Sequence, residues 1–380
     1  MEPRVTLADI DPETFGKSHA GQNANRMSLR QLALSILVGI PLGILMIRFD
    51  RAGSGPWSWP VLFLGPLIAI AVHELGHTIA GLVAGFRTVG FSAWPLTFYK
   101  TRNGWRLRWF GIGGGLIQCY PARATGVRGR MFWMTAGGPI ASIALFLLCG
   151  WMIWDEMVVW PGRSGYSAAF TGVFSLMIGV LSLVPTDTGE VLSDGYRMRM
   201  LARGGAEAEQ SLAHALLATE SFEGRRPGQW SAHLVERASK PESRSATGFN
   251  GQALLYSRLL DQVRVDEAEE ILAWLLEHPR LRLLAASLAF ETAWFLAAYR
   301  GDAARGREWM EVAEKQPKGL LDALTLQKAR AAVACVEQSG EAKAAVEAAL
   351  RECDDIANLG AAAATRDALL RLAAPIAAGM

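Results

Sequence analysis

Four apolar stretches, each long enough to cross a bilayer as a helix, constrain this chain more than any other feature. They lie near Leu29–Ile47, Pro60–Ala84, Met131–Trp154 and Ala168–Val184. About 20 residues of helix span the ~30 Å of hydrocarbon in a membrane, where backbone groups must be hydrogen-bonded internally. The sequence therefore predicts an all-α polytopic membrane protein with about four transmembrane helices. The first stretch follows a long polar segment without a small-x-small cleavage site, so we interpret it as an anchor rather than a signal peptide.

Lysine and arginine are distributed unevenly around these stretches. The segment Phe86–Arg130 is rich in arginine and contains no Asp or Glu, and basic residues also precede the first stretch and follow the fourth. The other two flanks contain only Arg48, Arg51 and Arg163. Because basic residues are retained in the cytoplasm, we expect a multi-pass protein with both termini cytoplasmic. The simple arrangement of four spans suggests that this membrane is the bacterial inner membrane.

A β-hairpin is predicted between the second and third spans. Thr97–Thr101 and Trp105–Phe110 flank Arg102-Asn103-Gly104, and Asn-Gly between two alternating runs is a strong hairpin signal. One face of the second strand would be aromatic and the other basic. We expect the hairpin at the membrane interface, where its outer edge is a candidate for binding an extended peptide. A lipid-facing aromatic belt is an equal alternative.

In the second half of the chain the sequence pattern changes from apolar spans to helices rich in alanine, leucine and glutamate. Similar helix starts recur at Asp266, Gly301 and Gly340, and Pro279 and Pro317 follow helices at a similar spacing. This region resembles tetratricopeptide-type repeats, whose helical hairpins stack into solenoids. We therefore predict an N-terminal cytoplasmic tail (1–28), a membrane domain (29–203), a helical linker region (204–250) and a soluble α-helical-repeat domain (251–380). Such a domain would bind a protein partner or cap the membrane domain.

Charge and cysteine content exclude two classes of function. The net charge is +2, without a cluster of basic residues on one helix, and predicts no nucleic-acid partner. The four cysteines show no C-x-x-C spacing, which argues against a thiolate metal site and against a disulfide framework.

The residues that point to chemistry lie within the second apolar stretch, as His73-Glu74-Leu75-Gly76-His77. Residues four apart share one face of a helix, so both imidazoles can reach one cation, and zinc suits such a pair. Glu74 would act as general acid and base on the water at the metal. Ionisable groups in a membrane span are costly and are usually functional, which favours a metal site over a chance cluster. The predicted partners are the lipid bilayer and a membrane-protein or peptide substrate.

A catalytic zinc ion needs a third protein ligand. Three carboxylates follow the fourth apolar stretch, on the side of the membrane toward which His77 lies: Asp187, Glu190 and Asp194. The residues alone leave these three alternatives open.

The motif His73–His77 in a span, together with Val184-Pro185 and the later Asp194-Gly195, resembles the site-2 protease family of intramembrane zinc metalloproteases. Gly137-Gly138-Pro139 and Gly113–Ile117 are similar to further glycine motifs of that family. The resemblance covers about residues 60–200. It implies that His73, His77 and Asp194 bind Zn²⁺ and that Glu74 is catalytic. The spacing of Asp194 from Pro185 departs from the family pattern, and Ser142 stands where the family has an asparagine.

Two functions are thus expected for this chain. The first is a zinc metalloendopeptidase that hydrolyses peptide bonds of membrane proteins within or near the bilayer, with the repeat domain recruiting or gating substrate. The second is a catalytically inactive, membrane-tethered scaffold that binds proteins through its helical repeats. Glu74 favours the enzyme, because hydrolysis requires it and a scaffold does not.

Overall fold

The computed structural model describes residues 6–15, 58–109, 115–159, 163–187, 192–240, 246–277, 284–316 and 321–378, together with three residue pairs between 39 and 48. The described chain is mostly helical and contains one small antiparallel sheet. Three of its helices are long and apolar enough to cross a membrane, over Phe63–Val83, Val127–Trp154 and Ser164–Leu183. The structure thus contains three helices that could cross a membrane.

These spans belong to helices α1 (Ser58–Val83), α2 (Val127–Trp154) and α3 (Arg163–Leu183). They correspond to the second, third and fourth stretches predicted from the sequence. The predicted first span, Leu29–Ile47, lies almost entirely outside the described residues. Much of the apolar surface of α1 and α2 is exposed, with Phe63, Leu147 and Trp151 all more than half exposed. A lipid environment accounts for such surface, which water would disfavour.

Close approach of α1 and α2 depends on two facing glycines. A Cβ atom on Gly76 would lie 2.4 Å from the Gly137 carbonyl oxygen, and a Cβ atom on Gly137 would lie equally close to the Gly76 carbonyl oxygen. Small residues allow helix backbones to pack closely in membranes, where van der Waals contact replaces the hydrophobic effect. Because Gly76 lies inside the His73–His77 motif, this crossing places α2 directly beside the candidate site.

Between α1 and α2 the chain forms four strands rather than the predicted isolated hairpin. They are β1 (Phe86–Ala93), β2 (Leu96–Thr101), β3 (Gly104–Trp109) and β4 (Gly115–Pro121), in the spatial order β3-β2-β1-β4. The hairpin is present as β2 and β3, with Phe98 opposite Leu107 and Tyr99 opposite Arg106. The prediction of a hairpin alone was incomplete, because β1 and β4 extend the sheet on the other side.

The two faces of the sheet differ in character. The face that carries Trp105 and Leu107 is exposed and apolar, in agreement with the predicted aromatic face. The opposite face carries Tyr99, Arg106 and Arg108. At its tip the hairpin contacts the C-terminal helices: Arg102 N–H donates to the Asp355 carbonyl oxygen at 3.0 Å, and Arg106 pairs with the Asp355 carboxylate at 2.9 Å. The sheet therefore joins the spans to the C-terminal helices.

In the described part of the chain, ten further α-helices follow the spans. They are α4 (Asp194–Arg203), α5 (Ala206–Phe222), α6 (Ala232–Ala238), α7 (Ala246–Asp261), α8 (Val265–Leu276), α9 (Ala285–Arg300), α10 (Ala303–Lys315), α11 (Ala323–Val336), α12 (Ala342–Asp355) and α13 (Leu359–Ala378). Helices α7–α13, here called the C-terminal helical domain, surround one hydrophobic core that includes Phe290, Phe295 and Trp309. Neighbouring helices pack in pairs, as a repeat architecture would require. The assignment of repeats stays a prediction.

The N-terminal segment packs into this same core. Leu7 and Phe15 are buried, the Phe15 ring lies 5.3 Å from that of Trp309, and Arg305 donates to the Leu7 carbonyl oxygen at 2.8 Å. The sequence predicted a cytoplasmic N-terminal tail over residues 1–28. In its described part, this segment is attached to the C-terminal helical domain.

Candidate metal centre

His73 and His77 lie one turn apart on α1 and face α2 and α4. Both side chains are buried, and their rings meet edge to face with centroids 4.8 Å apart. The i, i+4 spacing places them on one helix face, as the sequence indicated. A buried pair of imidazoles inside an apolar helix needs polar partners, and the structure supplies these from other elements.

Asp194, the first residue of α4, reaches both imidazoles. Ser193 caps α4 by accepting a hydrogen bond from Tyr196 N–H at 3.2 Å, and its hydroxyl donates to the Val184 carbonyl oxygen at 2.7 Å. Gly195 packs so tightly on the end of α3 that a Cβ atom would lie 1.8 Å from the Leu183 carbonyl oxygen. The Ser-Asp-Gly sequence thus fixes the start of α4 against the end of α3 and directs the Asp194 carboxylate to the histidines.

The three side chains form the one group in the described chain that could hold a metal ion, with ligand atoms within 4.8 Å of one another. Oδ2 of Asp194 lies 3.2 Å from Nε2 of His73 and 3.4 Å from Nε2 of His77. Ligands about 2.0–2.1 Å from a tetrahedral zinc ion would be separated by about 3.3–3.4 Å. The two distances from the Asp194 oxygen to the imidazole nitrogens therefore fit two edges of such a tetrahedron.

The outer nitrogen of each imidazole has its own partner. Nδ1 of His73 lies 2.9 Å from Oγ of Ser142, and Nδ1 of His77 lies 3.0 Å from the Met134 carbonyl oxygen, both on α2. In the tautomer that donates through Nδ1, each Nε2 presents a lone pair toward Asp194. A hydrogen bond to the nitrogen that faces away from a metal orients a histidine ligand and raises its basicity. The arrangement is therefore suited to a cation between the two Nε2 atoms.

The Asp194 carboxylate has the charge state that a metal ligand needs. Burial alone would raise its pKa, but hydrogen bonds and charge interactions with His73 and His77 outweigh this effect and hold the pKa below its ordinary value. Asp194 is therefore ionised at neutral pH and carries the negative charge that a divalent cation requires.

Glu74 is buried next to the metal ligands, and a strand of the sheet lies against it. A Cβ atom on Gly115, the first residue of β4, would lie 2.0 Å from Oε1 of Glu74. Within the described part of the chain, no hydrogen bond or ion pair engages this carboxylate. It is therefore available to accept a proton at the centre, in a position that only glycine at 115 allows.

The other two candidate ligands are not part of this group. The backbone of Asp187 forms an isolated antiparallel β-bridge with Leu192, and its side chain is not among the ligand atoms around Asp194. Glu190 lies outside the described residues. Among the described carboxylates, the structure thus brings Asp194 to the histidines.

The sequence did not predict that Ser142 belongs to this centre. In the sequence it is only a departure from the asparagine of the site-2 protease pattern, yet it is fully buried against His73. Its backbone carbonyl accepts a hydrogen bond from Ser175 on α3 at 3.0 Å. A serine in the third span, opposite the His73–His77 motif, is a signal that could have indicated this contact.

Comparison with protein-family models, with curated proteins and with solved structures finds no match for this chain.

Proposed function

We propose that this protein is an intramembrane zinc metalloprotease of the site-2 protease type, hydrolysing peptide bonds of membrane proteins within or near the bilayer. The observation that carries the proposal is the group of His73, His77 and Asp194 beside the free carboxylate of Glu74. Two imidazoles and one carboxylate are a common ligand set of catalytic zinc, which keeps its fourth position open. A carboxylate directly after the first histidine is the usual proton acceptor in such sites.

Each residue has a defined task in the proposed mechanism. His73, His77 and Asp194 hold the metal, and Ser142 and the Met134 carbonyl orient the two imidazoles. Zinc, when bound, polarises the scissile carbonyl and makes water acidic enough to attack near neutral pH. Glu74 accepts the proton of the attacking water and delivers it to the leaving amine. The surrounding apolar helices exclude bulk water, which strengthens these charge interactions.

A membrane-tethered scaffold is the second candidate function. The feature that would favour it is the tight packing of the C-terminal helical domain, with Trp309 and Phe295 fully buried. A scaffold would nevertheless have no use for Glu74, a residue buried beside the metal group. Since an ionisable group inside a membrane span is costly, its presence favours the enzyme.

The proposed activity is tested in liposomes that contain the purified protein and single-span model substrates. We expect cleavage within or next to the substrate's apolar segment, abolished by a zinc chelator and restored by zinc. Mass spectrometry of the products identifies the bond that is cut. Product formation that persists after zinc removal would contradict the proposal.

The packing of the N-terminal segment supports the proposed topology. Phe15 and the C-terminal helical domain share one core, so they lie on the same side of the membrane and an even number of spans separates them. Helices α1, α2 and α3 provide three. The span predicted from the sequence near Leu29–Ile47 would supply the fourth. Both termini would then be cytoplasmic, and the bacterial inner membrane stays a prediction.

The contact between Ser142 and His73 leads to a prediction for metal binding. Ser142→Ala removes the hydroxyl 2.9 Å from Nδ1 of His73 and leaves that nitrogen buried without a partner. We expect zinc affinity to fall about 10- to 100-fold, the usual cost of losing a group that orients a metal ligand. Competition with a zinc-chelating dye measures the change, with Ser182→Ala on α3 as the matched control. Equal zinc affinity in Ser142→Ala and wild type would contradict the assigned contact.

The sheet edge next to Glu74 is the proposed place where substrate pairs as an added strand. The sequence favoured the outer edge of the hairpin, which is β3, but the strand that lies against Glu74 is β4. Proline at Leu116 or Ile117 removes a backbone donor from β4. If that donor pairs with the substrate, losing its hydrogen bond of about 0.5–1.5 kcal/mol should slow cleavage about 2- to 13-fold with zinc still bound.

Both substitutions on β4 are needed, because successive backbone N–H groups point to opposite sides of a strand. Leu107→Pro on the distant edge strand β3 is the matched control and should leave the rate unchanged. Normal cleavage by both β4 variants, or an equal loss in Leu107→Pro, would rule out pairing at β4.

A further inference from the structure

A cleft of about 1070 Å³ lies between the sheet and the C-terminal helical domain. Its sheet wall is the face that carries Tyr99, Arg106 and Arg108. Its other wall comes mainly from alternate helices, α7, α9, α11 and α13, while α10 contributes no lining residue. Alternate helices that share one surface are typical of the inner face of a helical stack, the face on which such stacks bind partners.

The wall of the cleft that the helices form, here called the helical wall, is more polar than a packing interface requires. Glu291 pairs with Lys328 at 2.5 Å and accepts a hydrogen bond from the Tyr256 hydroxyl at 3.0 Å. The Lys328 ammonium also lies 5.5 Å from the ring centre of Trp294. The Ser287 hydroxyl, which lines the same wall, is buried and has no hydrogen-bond partner in the described chain. Such groups suit a polar ligand, since buried polar atoms without partners are costly.

The sheet wall gives this cleft a cationic side. The segment Phe86–Arg130 contains no acidic residue, so Lys100, Arg106 and Arg108 bring positive charge that the sheet itself does not neutralise. Arg106 pairs with Asp355, and Arg108 has no partner in the described chain. Arg108 lies where a second cavity of about 550 Å³ adjoins the cleft. On the helical wall, Asp261, Glu291 and Asp355 are each paired with a cation, and Asp322 caps α11, which leaves Glu352 without an ion pair. In the second cavity, Glu314 pairs with Arg330 at 3.4 Å. A ligand with acidic groups along the sheet wall is the best match.

The extent of the cleft indicates a polypeptide rather than a small anion. Packed helices lie about 8–10 Å apart, so four in a row give a surface of roughly 25–30 Å. That length corresponds to about eight residues of extended chain at ~3.3 Å each. The adjoining second cavity lengthens the path further beside Arg108.

The cleft is also connected to the proposed active site through one strand. Leu116 and Gln118 of β4 line the cleft, and Gly115, the residue before Leu116, packs on Glu74. A chain that leaves the cleft along β4 would reach the Glu74 carboxylate within a few residues.

We propose that this cleft binds an extended acidic peptide segment, and that the segment is the cytosolic part of the membrane protein to be cut. The identity of the segment rests on the proposed protease function, whereas binding of an acidic peptide does not. The sheet would supply the cations, and Tyr256, Ser287 and Trp294 would contact the backbone and apolar side chains of the segment.

Binding is tested on the full chain in detergent by fluorescence anisotropy. The probe is a fluorescein-labelled peptide of about ten residues in which glutamate alternates with serine and leucine. A second probe replaces every glutamate by glutamine. We expect saturable binding of the acidic probe, at least about tenfold weaker binding of the glutamine probe, and a similar loss with Arg108→Glu, since the reversed charge now repels the ligand.

Three controls make the result decisive. Arg351→Glu reverses an exposed charge outside both cavities and should bind the acidic probe normally. Ala364→Trp should block the cleft from the helical wall, with thermal unfolding showing that the variant is folded. Glu74→Gln and zinc-free protein should bind the probe as wild type does, so that failure of the protease proposal would be seen separately. Equal binding of both probes, or of wild type and Arg108→Glu, would overturn the inference.

Discussion

Replacing Glu74 by glutamine is expected to lower kcat for peptide-bond cleavage about 100- to 10,000-fold, the usual contribution of a general acid–base group. Glutamine keeps the size of the side chain beside Gly115 but cannot accept the proton of the attacking water. Zinc binding should be unchanged, because Glu74 is not among the three side chains that meet around the metal position. The measurement pairs a liposome cleavage assay with zinc content on the same preparation.

The matched control for this substitution is Glu156→Gln. Glu156 is exposed beyond the end of α2, far along the helix from the His77 contact, so its loss should leave the cleavage rate at the wild-type value. If Glu74→Gln cleaves at the wild-type rate while carrying zinc, Glu74 is not the catalytic base. Loss of both zinc and activity would instead make Glu74 a metal ligand, against the geometry described above.

Replacing Asp194 by alanine is expected to weaken zinc binding by more than about 100-fold. Losing a residue that only orients a metal ligand already costs about 10- to 100-fold, and Asp194 would be a ligand itself. The substitution removes the oxygen that lies 3.2 Å and 3.4 Å from the two imidazole nitrogens. It also removes the charge that balances the cation in a buried site. Competition with a chelating dye gives the affinity, and cleavage activity should fall in parallel.

Asp187→Ala separates the role of Asp194 from a general effect of charge. Asp187 lies in the same connection between α3 and α4 but outside the metal group. The Asp187→Ala variant should therefore bind zinc with wild-type affinity. Loss of zinc in Asp187→Ala with retention in Asp194→Ala would reassign the third ligand and contradict the arrangement at the start of α4.

The site residues were most predictable from the sequence where the chemistry of the side chains coincides with the periodicity of a helix. His73 and His77 needed only the spacing of an α-helix to be placed on one face, and the structure does place them together. The third partner was harder, because Asp194 lies 121 positions from His73 and three nearby carboxylates were possible. The choice depends on the fit of Gly195 against Leu183, a contact between helices that local sequence does not encode.

The sheet shows the same division between local and distant contacts. The turn at Asn103-Gly104 was predictable because its chemistry is local, and β2 and β3 flank it as expected. Strands β1 and β4 pair across the whole hairpin, so no local turn signal marks that pairing. β1 is buried on both faces near its end and lacks the strict alternation by which a half-buried strand is recognised.

The attachment of the N-terminal segment could not have been predicted from sequence. Leu7 and Phe15 are isolated apolar residues in a polar stretch, and such residues usually indicate a solvated tail. They are buried through contacts with Trp309 and Arg305 of the C-terminal helical domain, about 300 positions away in the sequence. Local sequence does not indicate so distant a contact.

The measurement that tests the central proposal most directly is the zinc content of the purified full-length protein, determined by mass spectrometry after zinc is supplied and excess metal removed. The proposal predicts about one zinc ion per chain, because His73, His77 and Asp194 together supply the three protein ligands of one catalytic site. Absence of zinc from the folded wild-type protein would contradict the metalloprotease and favour the scaffold.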